Sequence, residues 1–73
     1  MAKRQIMLTF PEELLREPII YNMGHEFNLI TNIQKADAGD DEGWALLELE
    51  GDEEEIEEGI AWAVSKGVRV DAV

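Results

Sequence analysis

Leu29-Ile30-Thr31-Asn32-Ile33-Gln34, the run Asp37-Ala38-Gly39-Asp40-Asp41-Glu42-Gly43, and Trp44-Ala45-Leu46-Leu47-Glu48-Leu49-Glu50 decide the fold. In the first stretch Leu29, Thr31 and Ile33 alternate with Ile30, Asn32 and Gln34. In the last, Ala45, Leu47 and Leu49 alternate with Trp44, Leu46, Glu48 and Glu50. A period of two belongs to a strand, because successive side chains leave opposite faces of a sheet. The intervening Gly and Asp residues are turn formers, so the three pieces predict a β-hairpin.

The chain on either side of this hairpin repeats one pattern. Toward the C-terminus, Asp52 with Glu55 three positions later is a capping-box variant, and Glu53, Glu54 and Glu55 put negative charge at the positive end of a helix dipole. Ile56, Ile60, Ala63 and Val64 form the apolar stripe of that helix. Gly67 after Lys66 reads as its left-handed terminator. Val68, Val70 and Ala72 then alternate with Arg69 and Asp71 as a last strand. Toward the N-terminus, Ile6, Leu8 and Phe10 alternate with Gln5, Met7 and Thr9 until Pro11 ends a first strand. Pro18 is placed as the first residue of a helix carrying Ile19, Ile20, Met23 and Phe27 at helical spacing, with Leu14 and Leu15 in an entry turn. The order β-α-β-β-α-β predicts an α+β, ferredoxin-like sandwich: a four-stranded antiparallel sheet with two helices on one face. It occupies residues 1–73 as a single domain.

Composition sets the limits. A chain of 73 residues buries only about 60% of the surface its unfolded form exposes. Its 45% hydrophobic content nevertheless argues for a folded domain. Asp and Glu number 17 against 6 Lys plus Arg, a net charge of −11 that repels phosphate backbones and excludes nucleic acid as the expected partner. The chain has no Cys, which removes disulfides and thiolate metal sites and suits a reducing compartment. Gln5 to Phe10 is too short and too polar for the apolar core of a signal peptide, and no run is long enough to span a membrane. The expected location is the cytoplasm, without membrane insertion.

No constellation suits catalysis, and the expectation is a protein that is not an enzyme and needs no cofactor or metal. His25 has no local nucleophile or paired carboxylate. Asp37, Asp40, Asp41 and Glu42 lack calcium-loop spacing, and Gly39, Gly43 and Gly59 form no phosphate-binding loop. The sheet face away from the helices is more informative. With Ile6, Leu8, Phe10, Leu29, Ile33, Ala45, Leu47, Leu49, Val68 and Val70 turned to the helices, the other face carries Met7, Thr9, Ile30, Asn32, Gln34, Trp44, Leu46, Glu48, Arg69 and Asp71. Met7, Ile30, Trp44 and Leu46 make that face apolar enough to pair with another chain. A one-residue slip of a strand would exchange the two faces.

In sequence the chain resembles the NIL domain, a ferredoxin-like module related in architecture to the ACT domain. The resemblance is carried by Leu8-Thr9-Phe10, Glu17-Pro18-Ile19-Ile20, Phe27-Asn28-Leu29 with Asn32-Ile33, Leu47-Glu48-Leu49-Glu50-Gly51, Ile60-Ala61-Trp62 and Gly67-Val68-Arg69-Val70. NIL domains occur at the C-terminus of the ATPase of methionine-import ABC transporters, alone, or joined to ferredoxin segments. The family is named for Asn-Ile-Leu, and this chain departs at the third position with Asn32-Ile33-Gln34. In the transporter members the domains pair, and methionine bound near the pairing surface inhibits transport. The resemblance implies a stand-alone regulatory module that senses methionine or a related amino acid as a homodimer, with Asn32 as the contacting amide; the alternation sets the apolar Ile30, Met7 and Leu46 nearby to hold the ligand's side chain. The competing reading is a protein-interaction domain of the same fold without a ligand, in which Asn32 only bonds a neighbouring strand.

Overall fold

Alternation of apolar and polar side chains gives four strands in a computed structural model that describes residues 1–73. They are β1 (Ala2–Pro11), β2 (Ile30–Ala38), β3 (Glu42–Gly51) and β4 (Arg69–Ala72). A 3-10 turn at Glu12–Leu14 and helix α1 (Ile19–Glu26) follow β1, and helix α2 (Glu53–Lys66) follows β3. The sheet is antiparallel throughout in the order β2-β3-β1-β4, the ferredoxin-like arrangement expected from the element order. β1, β2 and β3 run past the stretches that alternate most clearly, and the hairpin turn narrows to Gly39–Asp41.

Register fixes the two faces. Ile6 pairs with Leu47 and Leu8 with Ala45, so these side chains share the helix-covered face with Leu49. Ile6, Leu8, Leu47 and Leu49 meet Met23 of α1 and Ile56 of α2, and all six are at most 2% exposed. Each such side chain removed from water contributes about 1.5–3 kcal/mol, which makes this six-residue contact the main stabilising element of a small core. Trp62, off the main stripe of α2, fills the groove between the helices against Phe27, with ring centroids 6.0 Å apart.

Both helices stop in the same way. At the end of α2, Gly67 adopts φ +104°, its N–H donates to Val64 O, and Val68 N–H donates to Ala63 O. At the end of α1, Asn28 takes the left-handed role at φ +55°, and Leu29 N–H donates to Gly24 O at 2.9 Å. These are Schellman-type caps, and in each the residue after the left-handed one is a buried aliphatic, Leu29 or Val68. The cap therefore turns the chain and plants the first core residue of the next strand in one step.

Three local expectations change. Pro18 is the residue before α1, not its first residue, because its ψ of 61° is not helical. Asp52 precedes α2 in extended conformation, but its side chain makes no capping hydrogen bond to the helix backbone. Glu55 is half-buried beside it, and that desolvation, followed by the charge of Asp52, holds the Glu55 carboxyl above its usual range. Ile33 does lie on the helix side, opposite Leu47, yet it is 52% exposed. Helix α1 has only eight residues and leaves the outer part of β2 uncovered.

Two outcomes follow for stability. Left-handed backbone costs an alanine about 1–2 kcal/mol, so Asn28→Ala should lower the urea midpoint by about 1 kcal/mol in equivalent stability while Asn28→Gly stays near wild type. Equal losses from both changes would mean that the Asn28 side chain, not its backbone, matters. For Glu55 the folded carboxyl has the raised pKa, so its contribution to stability is fully present below the ordinary carboxylate pKa and is lost as pH rises through the folded value. Thermal melts of Glu55→Gln should therefore exceed wild type at neutral pH and converge with it in acid; a gain independent of pH would sink this assignment.

Candidate functional site

The sheet face turned away from the helices is built by cross-strand rows. The first is Asp71–Met7–Leu46–Lys35, and the next is Arg69–Thr9–Trp44–Asp37. On the other side of the first lies Gln5–Glu48–Asn32, and beyond it Lys3–Glu50–Ile30. β2 is interrupted between Ile33 and Lys35 by a register shift, so Gln34 is an extra residue whose side chain accepts a hydrogen bond from Gln5 Nε2. Arg69 Nε donates to Asp71 Oδ2 at 3.0 Å along the β4 edge. Apart from this bulge the registers follow the alternation, and the residues read as open-face are on that face.

The four candidate ligand residues are placed unequally. Met7 and Leu46 are direct cross-strand neighbours at the centre of the face, both half-buried. Asn32 stands one row away on the outer strand, opposite Glu48 and diagonal to Leu46. Ile30 begins that strand opposite Glu50, 57% exposed and two rows from Met7. Trp44, 37% exposed, extends the apolar strip on the other side of Leu46. Met7, Leu46 and Trp44 thus form one strip bordered by the amides Gln5, Asn32 and Gln34, and Ile30 stands apart from it. The molecule has three concavities, and Met7, Ile30, Asn32 and Leu46 line none of them. The face is a platform that lacks a second wall.

Its charge is unlike that of the rest of the chain. Lys3, Lys35 and Arg69 stand on it, half of the chain's six cationic side chains, against five of its 17 carboxylates, those of Asp37, Glu42, Glu48, Glu50 and Asp71. Most of the net −11 therefore lies elsewhere. Two copies meeting through this face would avoid most of each other's repulsion.

Sequence reading missed a second feature on the helix side. Where α1 leaves β2 bare, the 3-10 turn and the first turn of α1 face the strand across a cleft of about 330 Å³. Leu14, Leu15, Ile20, Tyr21, Ile33 and Phe10 supply most of its apolar lining, Glu17 adds a carboxylate, and Trp44 and Asp37 of the open-face row close its rim at the hairpin end. Leu15 bridges it to an adjoining polar notch lined also by Glu12, Glu13, Arg16, Gly39 and Asp40. The signal in the sequence was Ile33, Ala36 and Ala38, which keep the helix-side phase once the extra residue at Gln34 is counted. No group of His, Asp and Glu side chains is arranged to hold a metal ion, and no helix is long and apolar enough to cross a membrane.

The sequence profile of the NIL domain matches residues 4–72. Among solved structures, the chain is similar to the C-terminal domain of an ABC transporter/ATP-binding protein from Enterococcus faecalis, with a TM-score of 0.83 at 20% identity, covering 96% of this chain and 82% of that one. No curated protein matches the sequence.

Proposed function

Because the chain belongs to the NIL domain family, we propose that it is a regulatory module that binds a small apolar or thioether amino acid, methionine first, between two copies paired through the open sheet face. The observation that carries this reading is the Met7–Leu46–Trp44 strip on a nearly charge-balanced face of a strongly acidic chain. Burying the strip favours pairing at about 25 cal/mol per Å² of apolar surface, against association entropy and the residual negative charge of each copy. The platform alone encloses nothing, so the second copy supplies the missing wall. Asn32 offers a donor and an acceptor to the amino acid's polar head, with Met7 and Leu46 beside it for the side chain and Ile30 at the margin. The module carries out no chemistry of its own, and its Cys-free sequence suits the cytoplasm.

A second reading, an interaction domain without a small ligand, is favoured by one observation: the surroundings of Asn32 are flat in the single chain. Sedimentation and titration calorimetry separate the two. Wild type should dimerise more tightly as salt screens the residual repulsion, and Leu46→Glu should weaken the dimer by about tenfold or more. Methionine should release or absorb heat in wild type, with affinity about tenfold lower in Asn32→Ala. A dimer that gives no heat with methionine, leucine or their relatives at millimolar concentration would select the interaction domain. A monomer at high protein concentration in both low and high salt would remove the pairing itself.

A further inference from the structure

The cleft between the 3-10 turn, α1 and β2 opens mainly on the helix side of the sheet and meets the proposed pairing face only at its rim, where Trp44 and Asp37 line it; its Ile20, Tyr21 and Ile33 walls take no part in that proposal. It is apolar in its walls and acidic around them. Glu17 and Asp37 line it, and the notch joined to it through Leu15 brings Glu12, Glu13 and Asp40, so five carboxylates face a single guanidinium, that of Arg16. Neither Arg16 nor any of these carboxylates takes part in an ion pair within the chain. Tyr21 is 68% exposed and Ile33 52% exposed, so the walls are open to a partner as they stand.

We infer that this cleft docks a basic amphipathic peptide segment of a partner protein, which seats one or two bulky apolar side chains against Ile20, Tyr21 and Ile33 and carries Lys or Arg beside them into the acidic notch. The cleft's volume of about 330 Å³ sits at the lower end of the range for ligand sites and suits anchoring side chains, while the adjoining notch of about 700 Å³ has room for the cations beside them. Charge complementarity selects the occupant. Anionic lipid or nucleic acid is repelled by the five carboxylates. A second copy of this chain would approach with its own excess of acid, 17 carboxylates against 6 cations. A segment with apolar anchors and flanking cations satisfies both parts of the surface at once.

The test uses the full chain, with amide chemical shifts as the readout. The probe is a two-faced Leu/Lys helical peptide of about 18 residues, with a Leu/Glu peptide of the same pattern as control. The Leu/Lys peptide should shift the amides of Tyr21, Ile33 and Ala36, and the Leu/Glu peptide should not. Tyr21→Ser with Ile33→Ser, both exposed positions, should lower affinity about tenfold, and Glu12→Gln with Glu13→Gln and Glu17→Gln should reduce both affinity and its salt dependence. Unshifted resonances of Leu8 and Leu49 in each variant report an intact core. Three results would overturn the inference: no shifts at millimolar Leu/Lys peptide, shifts centred on Met7 and Leu46 or on Glu53–Glu58, or binding that ignores the Tyr21 and Ile33 changes.

Discussion

Leu29 is the residue on which the two halves of this domain close. Its side chain enters the space that two glycines leave empty: a Cβ at Gly51 would lie 2.7 Å from Leu29 Cδ2, and one at Gly59 would lie 2.9 Å from Leu29 Cδ1. The first glycine ends β3 and the second lies in the middle of α2, where an added Cβ would also come within 3.3 Å of Met23 Cγ in α1. One leucine, delivered by the Asn28 cap at the end of α1, therefore locks α1, α2 and the hairpin together. Glycine inside a helix costs about 1 kcal/mol relative to alanine, and here that cost is offset by the close approach of the helices over Leu29.

The asymmetry of the molecule follows from this closure. Both helices are drawn to the end of the sheet where Leu29, Leu49 and Gly51 meet, so the opposite end of the hairpin projects without cover. On the helix side that leaves Ile33, Ala36 and Ala38 as one wall of a cleft. The other side is bare because both helices pack on one face, and the Met7–Leu46–Trp44 strip lies at its centre. Charge is divided along the same lines. The bare face holds half of the cations, whereas the cleft mouth and the start of α2 gather carboxylates, so one small domain presents two surfaces of different selectivity.

Most of the architecture was legible because period, caps and turns agreed with one another. The alternation in β1 and β3 placed every side chain on its correct face, and Gly67 marked the end of α2 by the only residue type that takes its φ freely. The rest depended on properties that a local pattern does not carry. Asn28 gave no strong sign of a cap, since asparagine serves turns and strands alike. The role of Gly59 depends on Leu29, a neighbour in space that no local pattern reveals. Ile33 had the right phase for the core, but burial required a longer α1 to reach it. Of the apolar patch read from alternation, Met7, Leu46 and Trp44 do lie side by side on the open face, with Asn32 one row away. The separation of Ile30 comes from register, and the cleft from the short helix, both of them tertiary facts.

The closure by Leu29 is tested most directly by a double-mutant cycle on Leu29→Ala and Gly59→Ala, followed by urea unfolding. Leu29→Ala alone should cost about 2–4 kcal/mol. Gly59→Ala should destabilise the wild type by about 1 kcal/mol, because the new methyl has no room beside Leu29. In the Leu29→Ala background the sign should reverse, with a gain of about 0.5–1 kcal/mol from helix propensity and the refilled space. If Gly59→Ala has the same effect whether or not Leu29 is present, the two residues are not in competition for one volume, and the closure described here is wrong.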